Sequence, residues 1–421
     1  MEFHDFQIRA WTIDRKSAAV LVHSSPAGAM QRPETVVLDW ERLGAFRKIF
    51  QSLREVTPIQ LTAGGRELAS VVFPAPVVGL LIRSLERVDP EDGLRVRLCL
   101  DGALSDLPWE YLILPDVAGP RTPGGFLALD ARVSLVREPP QPGRQRPSLR
   151  KKQRLLFFGA RLQSAAGEDL WKTAEEKDSL FRALEPASVL LETRAVLSNE
   201  SDCQTALMRE KAAVDIFHYS GHTDVEGGTG YLLARDVDSE GQSADRLYAG
   251  ALGSLLRRAG TTVAVFSACN SGSWAFVEPL LRAEVPVVVG AQGLVEVRVA
   301  TAFCQRLYSA LAIGLSLDEA VTWARLHLLE PGVVLESLKW QWGTFMVYMQ
   351  TPEAVLFPRP RKPQVAEQQN AARQARQVTI INVTQHIGSI QGGEVAGVSA
   401  GGIGTQTGTG KARGDGGETD G

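Results

Sequence analysis

Two side chains suited to nucleophilic chemistry stand at the ends of two apolar runs. The first run, Val214-Asp215-Ile216-Phe217-His218-Tyr219-Ser220-Gly221-His222-Thr223-Asp224, carries His222 just past its apolar part. The second, Thr261 to Gly272 (TTVAVFSACNSG), carries Cys269 in the same place. A thiolate beside an imidazole is a nucleophile–base pair, and such partners are neighbours in space and not in sequence. Each run reads as a short buried strand, β-branched and aromatic, closed by small polar residues and glycine. In an open parallel sheet reactive groups gather at the carboxyl ends of strands, so the two side chains would face one crevice. The competing reading of Cys269 is a buried structural thiol. His218, four residues before His222, has metal-ligand spacing only on a helix; on a strand it reads as a buried structural histidine, and no metal is expected.

The elements around these runs alternate. Arg154 to Gly159 reads as a central strand, Leu170 to Leu184 as a helix with Glu175-Glu176-Lys177 on an exposed face, and Leu190 to Leu197 as the next strand. A helix over Asp202 to Lys211 precedes the His run, and another over Ala249 to Ala259 precedes the Cys run. Beyond it come a helix from Phe276 to Ala283, a buried strand from Val285 to Gly290, and helices over Thr301–Ile313 and Ser316–Leu329. Ser316 and Glu319 have capping-box spacing. Trp342 to Gln350 reads as the closing strand. Such alternation specifies an α/β fold with a mostly parallel sheet and helices on both faces. Upstream, Phe6–Asp14, Ala18–Val22 and Leu94–Asp101 read as strands, and Leu43–Leu53 and Pro76–Leu85 have helical spacing.

Composition narrows the class. The chain has 421 residues, 44% hydrophobic and 22% charged, enough for a substantial core without staples. The net charge of −3 gives no footprint for nucleic acid. The basic stretch Arg144 to Arg154 follows a Pro-rich segment, lacks interleaved aromatics and reads as a solvated linker. Cys99, Cys203, Cys269 and Cys304 fit no zinc or CxxC spacing, which points to reduced thiols and a cytoplasmic setting. The start shows no signal-peptide pattern, and no apolar stretch reaches the length of a membrane span. No P-loop or GxGxxG context is present, and no cofactor is expected.

The stretches FHYSGH and VFSACNSG resemble a CHAT domain, a caspase-like cysteine peptidase group related to caspases, separases and gingipains. The caspase signature also places its His roughly 50 residues before the Cys, and 47 positions separate His222 from Cys269 here. LPWE from Leu107, FLAL from Phe126 and VSLVR from Val133 resemble the opening of CHAT domains, in which Glu110 reads as architecture. Phe303, Leu307, Tyr308, Gly314 and Ala324-Arg325 resemble their ending.

The resemblance implies a caspase-like three-layer sandwich, with His222 and Cys269 as the catalytic dyad. It also implies an oxyanion hole from the backbone N–H groups of Thr223 and Cys269. In many CHAT domains glycine follows the His; here Gly221 precedes it and Thr223 follows. Asp224 either orients His222 or is a loop carboxylate. Glu296 lies where CHAT domains often carry an acidic residue; it either accepts a basic substrate side chain or is a surface acid.

Three regions follow from this reading. Residues 1–90 are an accessory region or a first layer of the peptidase fold, 91–357 the CHAT domain, and 358–421 a flexible tail. Within the tail, 378–398 (VTIINVTQHIGSIQGGEVAGV) is β-prone and nearly uncharged, and Ile387 to Gly393 is faintly similar to amyloid-forming signalling motifs. That segment would pair with copies of itself or with a partner; the alternatives are a small hairpin or disorder. The function expected is a cysteine endopeptidase that cleaves a specific protein in a bacterial signalling, immune or regulated cell-death response. The competing functions are a catalytically silent caspase-like scaffold that assembles through its tail, and a non-proteolytic acyl-transfer enzyme using the same dyad.

Overall fold

The computed structural model describes residues 2–53, 56–114, 123–140, 151–160, 172–198, 200–208, 213–235 and 245–358. The β-prone segment 378–398, and the tail that carries it, lie outside the described residues.

The first strands are β1 (Phe3–Thr12), β2 (Ser17–Ser24) and β3 (Glu34–Val37), followed by helices α1 (Trp40–Ile49), α2 (Pro58–Val72) and α3 (Ala75–Arg87). Strands β4 (Gly93–Leu100), β5 (Val133–Glu138) and β6 (Gln153–Ala160) lead to α4 (Thr173–Ala183), β7 (Leu191–Ser198) and α5 (Glu200–Met208). The His run forms β8 (Ile216–Ser220). A separate three-stranded sheet follows, of β9 (Thr223–Glu226), β10 (Thr229–Arg235) and β11 (Asp245–Tyr248), and then α6 (Ala249–Ala259). The Cys run forms β12 (Val263–Ser267), followed by α7 (Trp274–Arg282), β13 (Val287–Ala291), α8 (Val297–Ala312), α9 (Leu317–Leu328) and β14 (Phe345–Met349).

Eleven strands form one sheet in the order β3-β2-β1-β4-β5-β14-β13-β12-β8-β6-β7. Most neighbours are parallel; β2 against β1 and β3, and β13 against β14, are antiparallel. The strands before residue 90 therefore belong to the same sheet as β8 and β12. β14 joins the halves, pairing with β13 on one side and meeting β5 through Tyr348 and Arg137 on the other.

The strand period of two divides the core into two layers. Ile216, Val263, Val265 and Val289 enter the cluster shared with α8 and α9. Phe217, Tyr219, Ala264 and Phe266 enter the one shared with α6 and α7. Helices thus cover both faces, as the alternation of elements required.

Buried ion pairs fasten the layers. Arg137 reaches both oxygens of Glu110, at 3.1 and 2.6 Å, so the glutamate of the PWE motif is architectural. Arg95 pairs with Asp318 at 2.7 Å, and Ser134 donates to the same carboxylate at 2.6 Å.

Several local expectations change. The Ser316 side chain makes no capping bond. The first turn of α9 is turned into the core, where Asp318 serves Arg95. The closing strand is shorter than the apolar run, because 336–343 winds into a 3₁₀ turn that buries Trp340 and Trp342 around Tyr111. The β9–β10 hairpin had a legible signal in Gly227-Gly228, both with positive φ, which make its two-residue turn. Glu176 is not exposed with its neighbours: at 1% exposure it faces β8 and α8, since each residue advances about 100° around a helix.

Candidate active site

The site is built by strand register. β8 and β12 are adjacent and parallel, with Ser220 opposite Ser267. His222 and Cys269 each come two residues later, so they leave the carboxyl edge of the sheet on neighbouring strands, whose spacing is about 4.8 Å. Both are partly exposed, whereas the strands beneath them are wholly buried.

Each loop is held in place. After β8, Gly221 donates to the Ser267 carbonyl at 3.3 Å. A Cβ at Gly221 would lie 2.5 Å from the Tyr219 hydroxyl and 2.8 Å from Ala160, so no side chain fits there. The Tyr219 hydroxyl lies 2.8 Å from the His222 carbonyl and 2.6 Å from the Leu233 carbonyl, so its single proton is shared between them, and Leu233 N–H also donates to His222 O. The backbone of His222 is thereby fixed by the first hairpin strands. Thr223 is buried, and its hydroxyl donates to the Cys269 carbonyl, joining the two loops directly.

After β12, Asn270 takes left-handed φ (57°), a conformation asparagine tolerates better than most residues. Its N–H donates to Gly293 O at 2.7 Å. Gly293 must be glycine: its φ is +79° and a Cβ would run into the Phe50 carbonyl at the end of α1. Leu294 N–H donates to that same carbonyl at 2.9 Å, so the N-terminal half braces the loop following β13. Val295 N–H then donates to Cys269 Sγ at 3.4 Å. Burial pushes the Cys269 thiol pKa up, Val295 N–H and the residue's own N–H pull it down, and the Glu296 carboxylate pushes it up again.

Of the expected site residues, register brings His222, Thr223 and Cys269 together, and Glu296 lies within electrostatic reach of the thiol. Glu296 sits at the N-terminus of α8, half-buried, with its N–H held by Gln341 Oε1 at 3.0 Å. Asp224 is exposed on β9; its carboxylate accepts from Val225 N–H at 2.8 Å and lies across from Tyr231. The Val295 and Gln341 contacts were missed by sequence reasoning. A backbone N–H leaves no signature, and Gln341 lies in a 3₁₀ turn that reads as ordinary polar sequence.

A second polar group lies beneath the crevice. The ligand-type atoms of Glu176, His218 and Cys304 all lie within 4.8 Å of one another, and all three residues are buried. Those residue types suit zinc. However, Glu176 already accepts from Ser220 Oγ (2.6 Å) and meets His218 Nε2 (3.2 Å), while His218 Nδ1 meets the Tyr308 hydroxyl (3.1 Å). Burial, with Glu176 nearby, holds the Cys304 thiol pKa well above its ordinary value. The group reads as a hydrogen-bonded network.

A mixed α/β sandwich with a histidine and a cysteine leaving adjacent parallel strands is the caspase-like cysteine peptidase fold. The CHAT domain family model matches residues 62–350, and the chain belongs to that family. No curated protein matches by sequence. Solved structures similar to this chain include the Arg-specific cysteine proteinase gingipain R (11% identity, 76% of each chain, TM-score 0.44). The Drosophila initiator caspase Dronc is another (9% identity, 50% of this chain and 85% of that one, TM-score 0.33). A third is the Saccharomyces cerevisiae separase–securin complex (12% identity, 75% of this chain and 20% of that one, TM-score 0.37). No single helix among the described residues is long and apolar enough to cross a membrane.

Proposed function

We propose that this chain is a cysteine endopeptidase in which His222 and Cys269 form the catalytic dyad. The observation that carries the reading is the register of β8 and β12, which delivers both side chains two residues past paired serines. In the reaction the Cys269 thiol gives its proton to His222, and the thiolate attacks the scissile carbonyl. The oxyanion is received by the N–H groups of Cys269 and Thr223. His222 returns the proton to the leaving amine as the C–N bond breaks, leaving an acyl-enzyme. Water, deprotonated by His222, then cleaves the thioester and restores the thiol.

Glu296 selects a basic side chain at the position before the scissile bond. Its carboxylate opposes thiolate formation at Cys269, so a cationic substrate group placed against it would both anchor the substrate and relieve that opposition. Substrate charge would then help to ionise the nucleophile. The substrate is a specific protein, cleaved in the cytoplasm in a bacterial signalling, immune or regulated cell-death response. The tail segment 378–398 would gather copies of the chain or a partner, raising the effective concentration of peptidase units.

One observation favours the silent scaffold instead: burial and Glu296 both hold the thiol toward its unreactive form. Co-expression of the full chain with proteins encoded beside it separates the two. Discrete cleavage of a neighbour, abolished by both Cys269→Ala and His222→Ala, is the expected result. A partner-dependent effect that persists in both variants without any cleavage replaces the peptidase with the scaffold.

A further inference from the structure

Beneath the proposed dyad, β8 is braced against α4 and α8 by side chains that take no part in the proposed chemistry. Ser220 lies two residues before His222, and its hydroxyl donates to Glu176 Oε2 at 2.6 Å. The other oxygen of Glu176 meets His218 Nε2 at 3.2 Å, on the same face of β8. His218 is fixed on its far side by the Tyr308 hydroxyl at 3.1 Å, and the Phe157 ring stacks on it at 5.1 Å with an interplanar angle of 13°. Cys304 is one turn before Tyr308 on α8 and lies against Glu176. Ser267, two residues before Cys269, stands beside the Cys304 thiol without a hydrogen bond of ordinary geometry. These residues are all buried. One carboxylate on α4 therefore reaches the strand end under His222 directly, through Ser220 and His218.

A buried carboxylate is costly unless its oxygens are satisfied, and here donors from β8 satisfy them. Moving β8 relative to α4 would break these contacts together. The cost of burying Glu176 is thus converted into a fixed position for the end of β8, which sets the approach of His222 to Cys269. A displacement of about 1 Å there is enough to lose much of a proton-transfer advantage.

We infer that Glu176 is a positioning residue for the dyad, acting on His222 through Ser220 and His218. The inference rests on the dyad reading above. Its test needs no substrate: the rate at which iodoacetamide alkylates Cys269 at neutral pH, followed on the Cys269 peptide by mass spectrometry so that the other three cysteines do not interfere. His222→Ala is expected to slow alkylation about 100-fold, the modest end of what a positioned base contributes. Glu176→Gln is expected to slow it about fivefold in the otherwise unaltered chain, and to add nothing in the His222→Ala background, because coupled residues are not additive. A merely structural loosening would change the rate by the same factor in both backgrounds, and that result overturns the inference. Ser220→Ala removes one donor only; it is expected to give a smaller fall with the same dependence on His222, and it serves if Glu176→Gln does not fold. An unchanged rate in folded Glu176→Gln, alongside a slowed His222→Ala, removes the positioning role and leaves the dyad standing. An unchanged rate in His222→Ala removes the dyad, and the role of Glu176 with it.

Discussion

The Thr223 hydroxyl donates to the Cys269 carbonyl, so the residue following the histidine is bonded to the cysteine across the crevice. This side chain does what strand pairing cannot do beyond the last ladder bond, which is to keep two loops from separating. Thr223→Val preserves the shape and removes the donor, leaving the Cys269 carbonyl short of one partner. The expected loss of stability is about 1 kcal/mol in urea unfolding. If His222 and Cys269 form the proposed dyad, peptide cleavage should fall more steeply, by roughly 10- to 100-fold, because the loss acts on the geometry of that pair. Thr223→Ser, which keeps the hydroxyl, should stay near the unaltered chain in both measurements.

Gly221 is required by space. Its missing Cβ leaves room for the Tyr219 hydroxyl, which holds the His222 and Leu233 carbonyls. Gly221→Ala forces either the tyrosine or the loop to move, at a cost of about 1–3 kcal/mol, typical of overpacking. The midpoint of thermal or denaturant unfolding should drop accordingly. An alanine variant as stable as the original chain would mean that the Tyr219 clamp yields easily and does not fix His222.

The parts of this site that could be read from sequence are those with a side-chain period. The β8 and β12 runs are rich in β-branched and aromatic residues and each ends in a serine, and their common offset to His222 and Cys269 follows from counting along paired strands. Glu176 was misplaced because it sits between Glu175 and Lys177, and a charged triplet reads as a solvated face. Only the packing of α4 against β8 and α8 reveals which of the three turns inward. The brace from Phe50 to Leu294 was invisible for a different reason. It is a backbone contact between segments more than 200 residues apart, and its one trace is a glycine, Gly293, among many.

Glu296 gives a prediction whose sign is set by electrostatics. A negative charge near a thiol disfavours the thiolate, so Glu296→Gln should lower the Cys269 pKa. The rate of alkylation plotted against pH should then move to lower pH, and alkylation at neutral pH should quicken. Cleavage of a substrate with a basic residue before the scissile bond should weaken in the same variant, since its partner carboxylate is gone. Faster alkylation together with undiminished cleavage would confine Glu296 to the electrostatics of the thiol and remove it from substrate selection.

Asp318 links acid stability to the joint between α9 and the N-terminal half of the sheet. Burial alone would raise its pKa, but Arg95 and Ser134 more than offset this and hold it below the usual carboxylate range. A carboxyl whose folded pKa is depressed contributes stability that is complete above its unfolded pKa and is lost as pH falls through the folded one. The chain should therefore lose part of its unfolding free energy below about pH 4 through this group. Asp318→Asn should cost about 3–5 kcal/mol at neutral pH, because it leaves the buried Arg95 without its main counter-charge. The same variant should show a shallower decline on acidification than the unaltered chain, since this carboxyl no longer has a proton to take up. Urea unfolding at pH 7 and pH 3 of both proteins checks the two statements together. Parallel declines would place the acid sensitivity in other carboxylates.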